Sequence, residues 1–308
     1  MYIDYYGKKW FKGNLHTHTT ESDGALSPEE TVERYRYAGY DFLAITDHFM
    51  PGIYESISET MENPEFLVLS GVEYGTNCEN RNNDNKHSRL IHINGIGFTA
   101  PPEYSPDFSA QEIVDAIHQK DGIAIFDHPV WSRNLPEDVL TAEGYDGLEI
   151  YNSAASAAAD SSVVVDMLAY HGLLIPVVAA DDTHFFTGEE FGGFIMVQAD
   201  SLNRNDILHA IREKRFFASR GPWVQARIEG NFIHVECTPV CNIKLYSNMC
   251  GVMSVTTGQK LTGAKFDMTK IWWMPAGAYY FRVEVIDKDG KSAWTNPAPF
   301  ENQEEEES

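Results

Sequence analysis

The first 220 residues alternate short apolar runs with polar or amphipathic segments, a pattern typical of strands that alternate with helices. The runs are too short for helices, and glycine, proline or charged residues bound them. They are rich in isoleucine, valine, leucine and phenylalanine, as expected of strands buried on both faces. The predicted strands are Phe11–Thr17, Asp41–Thr46, Phe66–Val72, Leu90–Phe98, Gly122–Phe126, Gly147–Tyr151, Leu173–Ala179 and Phe194–Val197.

Helix starts follow several of these runs. Residues 27–30 (Ser-Pro-Glu-Glu) supply a cap, a proline at the first helical position and a capping-box glutamate. Ser109 and Glu112 repeat the capping pair before a helix that runs to about Lys120. Further helices are predicted over Ala158–His171 and Arg204–Lys214.

The repeated strand–helix unit predicts an α/β fold with a parallel sheet. About seven such units favour a closed or nearly closed barrel over an open sheet. We therefore expect the site at the carboxyl ends of the strands, where parallel α/β folds place their ligands.

After Arg220-Gly221-Pro222 the pattern changes to alternation of apolar and polar residues, without helical periodicity. The strands predicted there are Val224–Ile228, Phe232–Cys237, Ile243–Ser247, Lys265–Met268 and Tyr279–Asp287. We expect three parts: an α/β barrel domain over 1–220, a small antiparallel β-sandwich-like domain over 221–300 and a disordered acidic tail over 301–308.

The 308 residues carry a formal net charge of −23, part of it in the run Glu304–Glu307. Such a charge argues against unaided binding to a nucleic-acid backbone, although bound cations would make the local field at a site less negative. No apolar run is long enough to cross a membrane, and the N-terminus lacks the pattern of a signal peptide. The four cysteines include no CxxC pair, so free thiols and a cytoplasmic location are expected.

Histidines and carboxylates recur where predicted strands end. Residues two apart on a strand point the same way, so the pair in His-Thr-His can face one ion. A lone histidine at a strand end usually has a structural role. If this whole set had only structural roles, its charges would be left uncompensated, which is energetically costly. Imidazole mixed with carboxylate suits zinc, manganese or iron. The candidate residues are His16, His18, Asp23, His48, Glu73, His92, His128, Asp181, Asp182 and His184.

Other catalytic machinery is missing from the sequence. There is no GxSxG elbow, GxGxxG loop, Walker A element or HExxH helix. His118, His171, His209 and His234 do not follow strands, so we interpret them as structural or surface residues, and His87 stays a weak candidate contact.

Six sequence features follow one another over about residues 10–220. In chain order they are GNLHTHTTESDG, AGYDFLAITDH, GVEYG, a strand histidine, an HP pair and DDTH. This order resembles the PHP (polymerase and histidinol phosphatase) superfamily. The C-terminal SAWTNPAPF is similar to the branch with carbaryl-hydrolase-like metallohydrolases. The resemblance implies a distorted seven-stranded β/α barrel with two or three divalent metal ions at its C-terminal face.

The resemblance also implies how the ligands divide. His16, His18, Glu73 and Asp182 would hold a first ion, and Glu73 would bridge to a second ion held by His92 and His128. Asp23, His48 and His184 would hold a third. Asp182 is preferred over Asp181 because the Asp-x-His spacing puts it on the same side as His184. Asp47 would orient a ligand histidine. Arg133 is a candidate phosphate contact, and Trp131 in the same loop is a candidate side of the pocket.

These ligands predict hydrolysis by a metal-bridging hydroxide, which is a nucleophile at neutral pH because the ions lower its pKa to about 7. Three dications against three ligand carboxylates leave a positive pocket, which favours a phosphoester of a small metabolite or nucleotide. A carboxylic or carbamic ester hydrolase, an exonuclease on short oligonucleotides and a metal-stabilised binding module are the alternatives.

Overall fold

The computed structural model describes residues 1–4, 6–48, 65–77, 90–248, 252–270 and 279–301. The chain forms two compact units. The first unit comprises Met1–Val164 and Val178–Phe216, and the second comprises Val165–Val177 and Phe217–Ser308. None of the helices in the described ranges is long and apolar enough to cross a membrane.

The first unit is built on a mixed sheet whose strands run in the order β9-β2-β3-β4-β5-β6-β7-β8, with β1 paired to β2. Parallel pairing joins β2 to β3, β3 to β4 and β6 to β7. Antiparallel pairing joins β2 to β9, β4 to β5 and β5 to β6. The strands are β1 (Tyr2–Ile3), β2 (Lys9–Asn14), β3 (Phe42–Ile45), β4 (Leu67–Asn77), β5 (Leu90–Ile96), β6 (Ile123–Phe126), β7 (Gly147–Asn152), β8 (Val177–Ala180) and β9 (Phe194–Gln198).

The prediction of an α/β fold is confirmed, but the sheet is neither fully parallel nor closed over the described strands. Strand β9 pairs antiparallel along β2, from Trp10 with Gln198 to Gly13 with Ile195, and so occupies the edge that a closing strand would need. Beyond the strands themselves, an isolated parallel bridge joins Thr17 to Thr183. A buried strand has the same apolar composition in either direction, so the sequence pattern did not reveal that β5 and β9 run antiparallel to their neighbours.

The helices confirm the capping predictions. Helix α1 (Pro28–Tyr37) begins with Ser27 Oγ accepting from Glu30 N at 3.2 Å, while Glu30 accepts from Ser27 N at 3.0 Å. Ser109 and Glu112 make the same reciprocal pair before the next helix. A cap of this kind contributes about 1 kcal/mol. The remaining helices are α2 (Ala110–Gln119), α3 (Pro136–Val139), α4 (Ser162–Tyr170) and α5 (Arg204–Arg212), with short 3₁₀ turns at Ser156–Ala158 and Met268–Lys270.

The core of the first unit lies between its sheet and helix α5. Phe42, Ile125 and Val178 of the sheet pack in one cluster with Ile207 and Ile211 of the helix, all of them fully buried. Burial of this apolar surface is the main stabilising contribution to the fold and holds the strand ends in place.

The second unit contains strands that pair antiparallel. Its long central strand β12 pairs with β11 along its first half, with β14 along its second half and with β13 along its other edge. The strands are β10 (Phe216–Ser219), β11 (Val224–Glu229), β12 (Phe232–Tyr246), β13 (Val252–Asp267), β14 (Tyr280–Ile286), β15 (Ser292–Thr295) and β16 (Ala298–Pro299).

Candidate metal centre

The nine predicted ligands all lie in the first unit and come from the same edge of its sheet. Most follow the carboxyl end of a strand, as the sequence predicts. His92 is near the beginning of β5, and it reaches the same edge because β5 runs antiparallel to β4 and β6. Gly24 is required beside them, because a Cβ there would lie 2.6 Å from the backbone carbonyl carbon of His18.

Glu73 is the centre of the cluster. Its side chain is almost fully buried, yet its two oxygens meet five imidazole rings. The Oε1 atom contacts Nε2 of His128 at 3.2 Å and Nδ1 of His92. The Oε2 atom contacts Nδ1 of His48 at 3.1 Å, Nε2 of His18 at 3.2 Å and Nε2 of His16 at 3.5 Å. A carboxylate with donors divided between its two oxygens is suited to bridge two cations.

The first group of donors is His16, His18, Glu73 and Asp182. The Nε2 atoms of the two histidines are 3.2 Å apart, and Oδ1 of Asp182 is 3.2 Å from that of His16 and 3.0 Å from that of His18. Ligands at tetrahedral positions around zinc are about 3.4 Å apart, given zinc–nitrogen distances of about 2.0–2.1 Å. The four donor atoms therefore fit around one ion.

The second group is Glu73, His92 and His128. Nδ1 of His92 is buried against Glu73 but finds no hydrogen-bond partner among the described residues. This arrangement fits donor atoms that are directed at a common cation instead of at each other.

The third group is Asp23, His48 and His184, with Nδ1 of His18 beside them. Oδ1 of Asp23 is 3.4 Å from Nε2 of His184, and Oδ2 is 3.5 Å from Nε2 of His48. A neutral imidazole offers one lone pair, so His18 can serve either this group or the first. The third group is the most open to solvent, because the Asp23 side chain is half exposed.

The electrostatic field of the cluster favours positive charge. Burial lowers the pKa of His18, but hydrogen bonds to Asp182 and Glu73 outweigh it and raise the pKa to about 9. Burial likewise lowers the pKa of His16, and the charges of Asp182, Glu149 and Glu73 raise it well above its usual value. Burial raises the pKa of Glu73, yet the facing histidines hold it well below its usual range. Bound divalent ions would supply the positive charge that this field favours.

Residues 14–157 match the family model of the PHP domain. This matched segment is a PHP domain and comprises just under half of the chain. Seven of the nine predicted ligands lie within the matched residues, while Asp182 and His184 follow them.

Among known proteins, the chain is similar to a 5'-3' exoribonuclease of Haemophilus influenzae, with 27% identity over 227 residues, 70% of this chain and 74% of that protein. It is also similar to the 5'-3' exoribonuclease Rnm of Salmonella typhimurium, with 36% identity over 103 residues, 32% of each chain. A crystal structure of a two-domain Bacteroides vulgatus protein, described as containing a predicted PHP-like metal-dependent phosphoesterase, has a TM-score of 0.52 at 14% identity and covers 95% of both chains. That likeness shows the shared fold.

The two adjacent aspartates of this PHP chain have different surroundings. Asp181 is fully buried and accepts from the Tyr35 hydroxyl at 2.6 Å and from Gly193 N at 2.7 Å. Asp182 faces His16 and His18 instead. Its φ of 51° is in the left-handed region, a strained conformation that directs its side chain away from that of Asp181.

Among the described residues Asp47 makes no direct contact with an imidazole, and its expected role of orienting a ligand histidine stays a prediction. Its carboxylate accepts from Thr19 N at 2.7 Å, Thr19 Oγ1 at 2.7 Å and Ser22 Oγ at 2.6 Å. Ser22 Oγ in turn lies 3.5 Å from Nδ1 of His18. Asp47 therefore holds the loop that leads to Asp23 and reaches a histidine through Ser22.

A carboxylate that the sequence analysis missed does contact a ligand ring. Oε1 of Glu149 on β7 is 2.8 Å from Nδ1 of His16. The available signal was a charged residue inside the apolar run GLEIY, but no histidine or second carboxylate accompanies it there. Asp127 is also buried in this region, with Oδ1 4.0 Å from the same nitrogen.

Exposed side chains surround the metal centre. Trp131 is 53% exposed, and its ring centroid is 4.9 Å from that of His128 and 6.3 Å from that of His92. Phe186 is 67% exposed and stacks near His184, with ring centroids 6.4 Å apart. Arg133 is exposed and forms no ion pair with the described residues.

The histidines interpreted as structural lie outside the donor groups found in the described part of the chain. His118 is paired with Asp146 at 2.9 Å and His234 with Glu229 at 2.9 Å. His87 lies outside the described residues.

Proposed function

We propose that this PHP protein is a metal-dependent phosphoesterase that hydrolyses a small phosphorylated metabolite or a nucleotide. The observation that carries the proposal is the cluster of donor groups, two of which share Glu73. The exposed Arg133 follows the predicted ligand His128 by five residues. Two or three dications outweigh the charge of three ligand carboxylates. The pocket then carries net positive charge, which favours an anionic phosphoester over a neutral ester.

The first ion would be held by His16, His18, Glu73 and Asp182, and the second by Glu73, His92 and His128. A third would be held by Asp23, His48 and His184. The mixture of imidazole and carboxylate is compatible with zinc, manganese or iron. This division is the one that the family resemblance implies, and the donor groups support it.

When bound, such ions supply a water nucleophile that is active near neutral pH and positive charge that stabilises the transition state. The chain itself has to position the substrate. Arg133 would bind a non-bridging phosphate oxygen through its guanidinium, which forms paired hydrogen bonds with phosphate. Trp131 covers His92 and His128 and would exclude water from that side of the phosphoester.

The test is elemental analysis of protein purified without chelator, together with hydrolysis of an aryl phosphate and an aryl ester. We expect two or more equivalents of divalent metal and phosphatase activity that a chelator removes. Esterase activity without phosphatase activity would favour a carboxylic or carbamic ester hydrolase. Protein that binds no metal and stays inactive after reconstitution would refute the hydrolase proposal.

An exonuclease acting on short oligonucleotides is the second candidate. The similar proteins of Haemophilus influenzae and Salmonella typhimurium are named 5'-3' exoribonucleases, which favours it. The net charge of −23 disfavours a long nucleic-acid substrate, because phosphate contacts need local positive charge. Release of mononucleotides from a 5'-phosphorylated RNA pentamer, at a rate above that for a simple aryl phosphate, would make this the main function.

Arg133→Ala is expected to raise KM for the aryl phosphate about tenfold, because it removes a charge-assisted hydrogen bond to the substrate. Arg34→Ala is the matched control, since Arg34 is an exposed arginine on helix α1. Steady-state kinetics at constant ionic strength measure both variants. Equal KM values for the two would show that Arg133 does not contact phosphate.

We also propose that the chain divides into a hydrolase domain over 1–220, a β-sandwich-like domain over 221–300 and an acidic tail over 301–308, and that it works in the cytoplasm. Free thiols in a reducing compartment are the expectation for the four cysteines.

A further inference from the structure

Strand β7 provides none of the nine predicted ligands, although it lies between β6 and β8, which both lead into them. Its sequence GLEIYN carries two polar side chains, Glu149 and Asn152, each about 1% exposed. Polar groups so deeply buried are costly unless every hydrogen bond is made. Their contacts therefore indicate what they do.

Glu149 accepts three hydrogen bonds. Oε1 accepts from Nδ1 of His16 at 2.8 Å, and Oε2 accepts from the backbone N of His128 at 2.8 Å and from Nδ2 of Asn152 at 2.8 Å. An ionised carboxylate can only accept, so it fixes the His16 proton on Nδ1. The lone pair of Nε2 is then free on the side of Glu73 and Asp182.

Asn152 connects Glu149 to the residues at a third strand end. Its Nδ2 also donates to Oδ2 of Asp182 at 3.2 Å, while its Oδ1 accepts from Ala155 N at 3.0 Å. The hydrogen-bonded series Asp182–Asn152–Glu149–His16 thus joins ligands that follow β8 and β2, and Glu149 adds the backbone of His128 after β6. His128 has a strained φ of 25°, so a fixed hydrogen bond to its N is well placed to hold that conformation.

We propose that Glu149, with Asn152, is a positioning residue of the metal centre: it holds His16, His128 and Asp182 in register before any ion binds, and it keeps the remaining proton of His16 on Nδ1 when Nε2 binds an ion. The inference rests on the proposed metal-dependent function. Glu149 acts through other side chains and does not touch the ions or the substrate. Outer partners of this kind typically change metal affinity 10- to 100-fold when removed.

The experiment is calorimetric titration of the metal-free protein with Zn²⁺, comparing wild type with Glu149→Gln and Asn152→Ala. Glu149→Gln keeps the size of the side chain but offers one acceptor oxygen for three donors. We expect Zn²⁺ affinity to fall about 10- to 100-fold for Glu149→Gln and less for Asn152→Ala, with kcat reduced more than KM is raised. In the zinc-loaded wild type, ¹H–¹⁵N spectra should show a slowly exchanging proton on Nδ1 of His16, which Glu149→Gln weakens or removes.

Glu284→Gln is the control, because Glu284 is a buried carboxylate of the second unit that also accepts three hydrogen bonds. It should lower stability without changing Zn²⁺ affinity. Thermal unfolding of each metal-free variant separates loss of fold from loss of positioning.

Zn²⁺ affinity and a His16 proton signal equal to wild type in a folded Glu149→Gln variant would overturn the inference. An affinity loss of the same size in Glu284→Gln would also overturn it. If instead the wild type binds no metal, the proposed function itself has failed.

Discussion

Glu73→Gln is expected to lower kcat/KM about 10³-fold or more and to reduce the number of bound metal ions. Glu73 contacts five imidazoles and lies in two donor groups, so one substitution weakens both. An amide offers a single neutral oxygen where a carboxylate offers two charged ones. The lost charge stabilisation amounts to several kcal/mol, and about 4 kcal/mol corresponds to 10³ in rate.

The measurement combines steady-state kinetics with elemental analysis of the purified variant. Asp4→Asn is the matched control, because Asp4 is a buried carboxylate that accepts from Trp10 Nε1, Tyr6 N and Lys8 N. Trp10 precedes His16 by six residues, about 20 Å of extended chain. Asp4→Asn should therefore alter stability and leave activity intact. A Glu73→Gln variant with full metal content and near-normal activity would contradict the proposed centre.

The pH dependence of stability is expected to have opposite signs in the metal-free and metal-loaded protein between about pH 6.5 and 9. In the metal-free protein, burial lowers the pKa of His18 but its carboxylate partners raise it to about 9 from a usual value of 6.5. A raised pKa contributes stability that is complete below the unfolded value and is lost as the pH rises through the folded value. For His18 this loss is at most about 3 kcal/mol.

Metal ions reverse this slope because ligand histidines must be neutral to bind them, so metal affinity increases as the pH rises. Saturation at 100 times the dissociation constant adds about 2.7 kcal/mol. Below about pH 4 both forms should weaken, since Glu73 and Asp182 have lowered pKa values and lose their contribution when protonated.

Urea unfolding at pH 6.5, 7.5 and 9, with chelator or with excess Zn²⁺, measures both slopes. His18→Asn should flatten the slope of the metal-free protein, whereas His234→Gln, a change at a histidine paired with Glu229, should not. Parallel slopes with and without metal would show that these histidines do not bind the ions.

The local part of the structure could be predicted from the sequence. The capping pairs at Ser27 and Ser109 form as expected, because the partners are three residues apart and need no distant contact. The convergence of His16, His18 and Glu73 was also predictable, since strand ends in an α/β sheet meet at one edge.

Strand direction and sheet closure were not predictable. Residues of β5 and β9 are buried whichever way the strand runs, so composition carried no information on direction. The expected closed or nearly closed barrel is not confirmed, because the sheet is not closed over the described strands. The preference for Asp182 over Asp181 came from the Asp-x-His spacing, whereas the left-handed backbone of Asp182 is seen only in the structure.

The sequence by itself determined the types of donor, their placement in or near strands and the helix starts at Ser27 and Ser109, because these depend on neighbours in the chain. Only the tertiary structure decided that Glu73 is shared among five imidazoles and that Glu149 stands behind His16, 133 residues away along the chain. Hydrogen bonds over such separations depend on how strands align in the sheet. That alignment results from packing of the whole core and is not encoded in any local pattern.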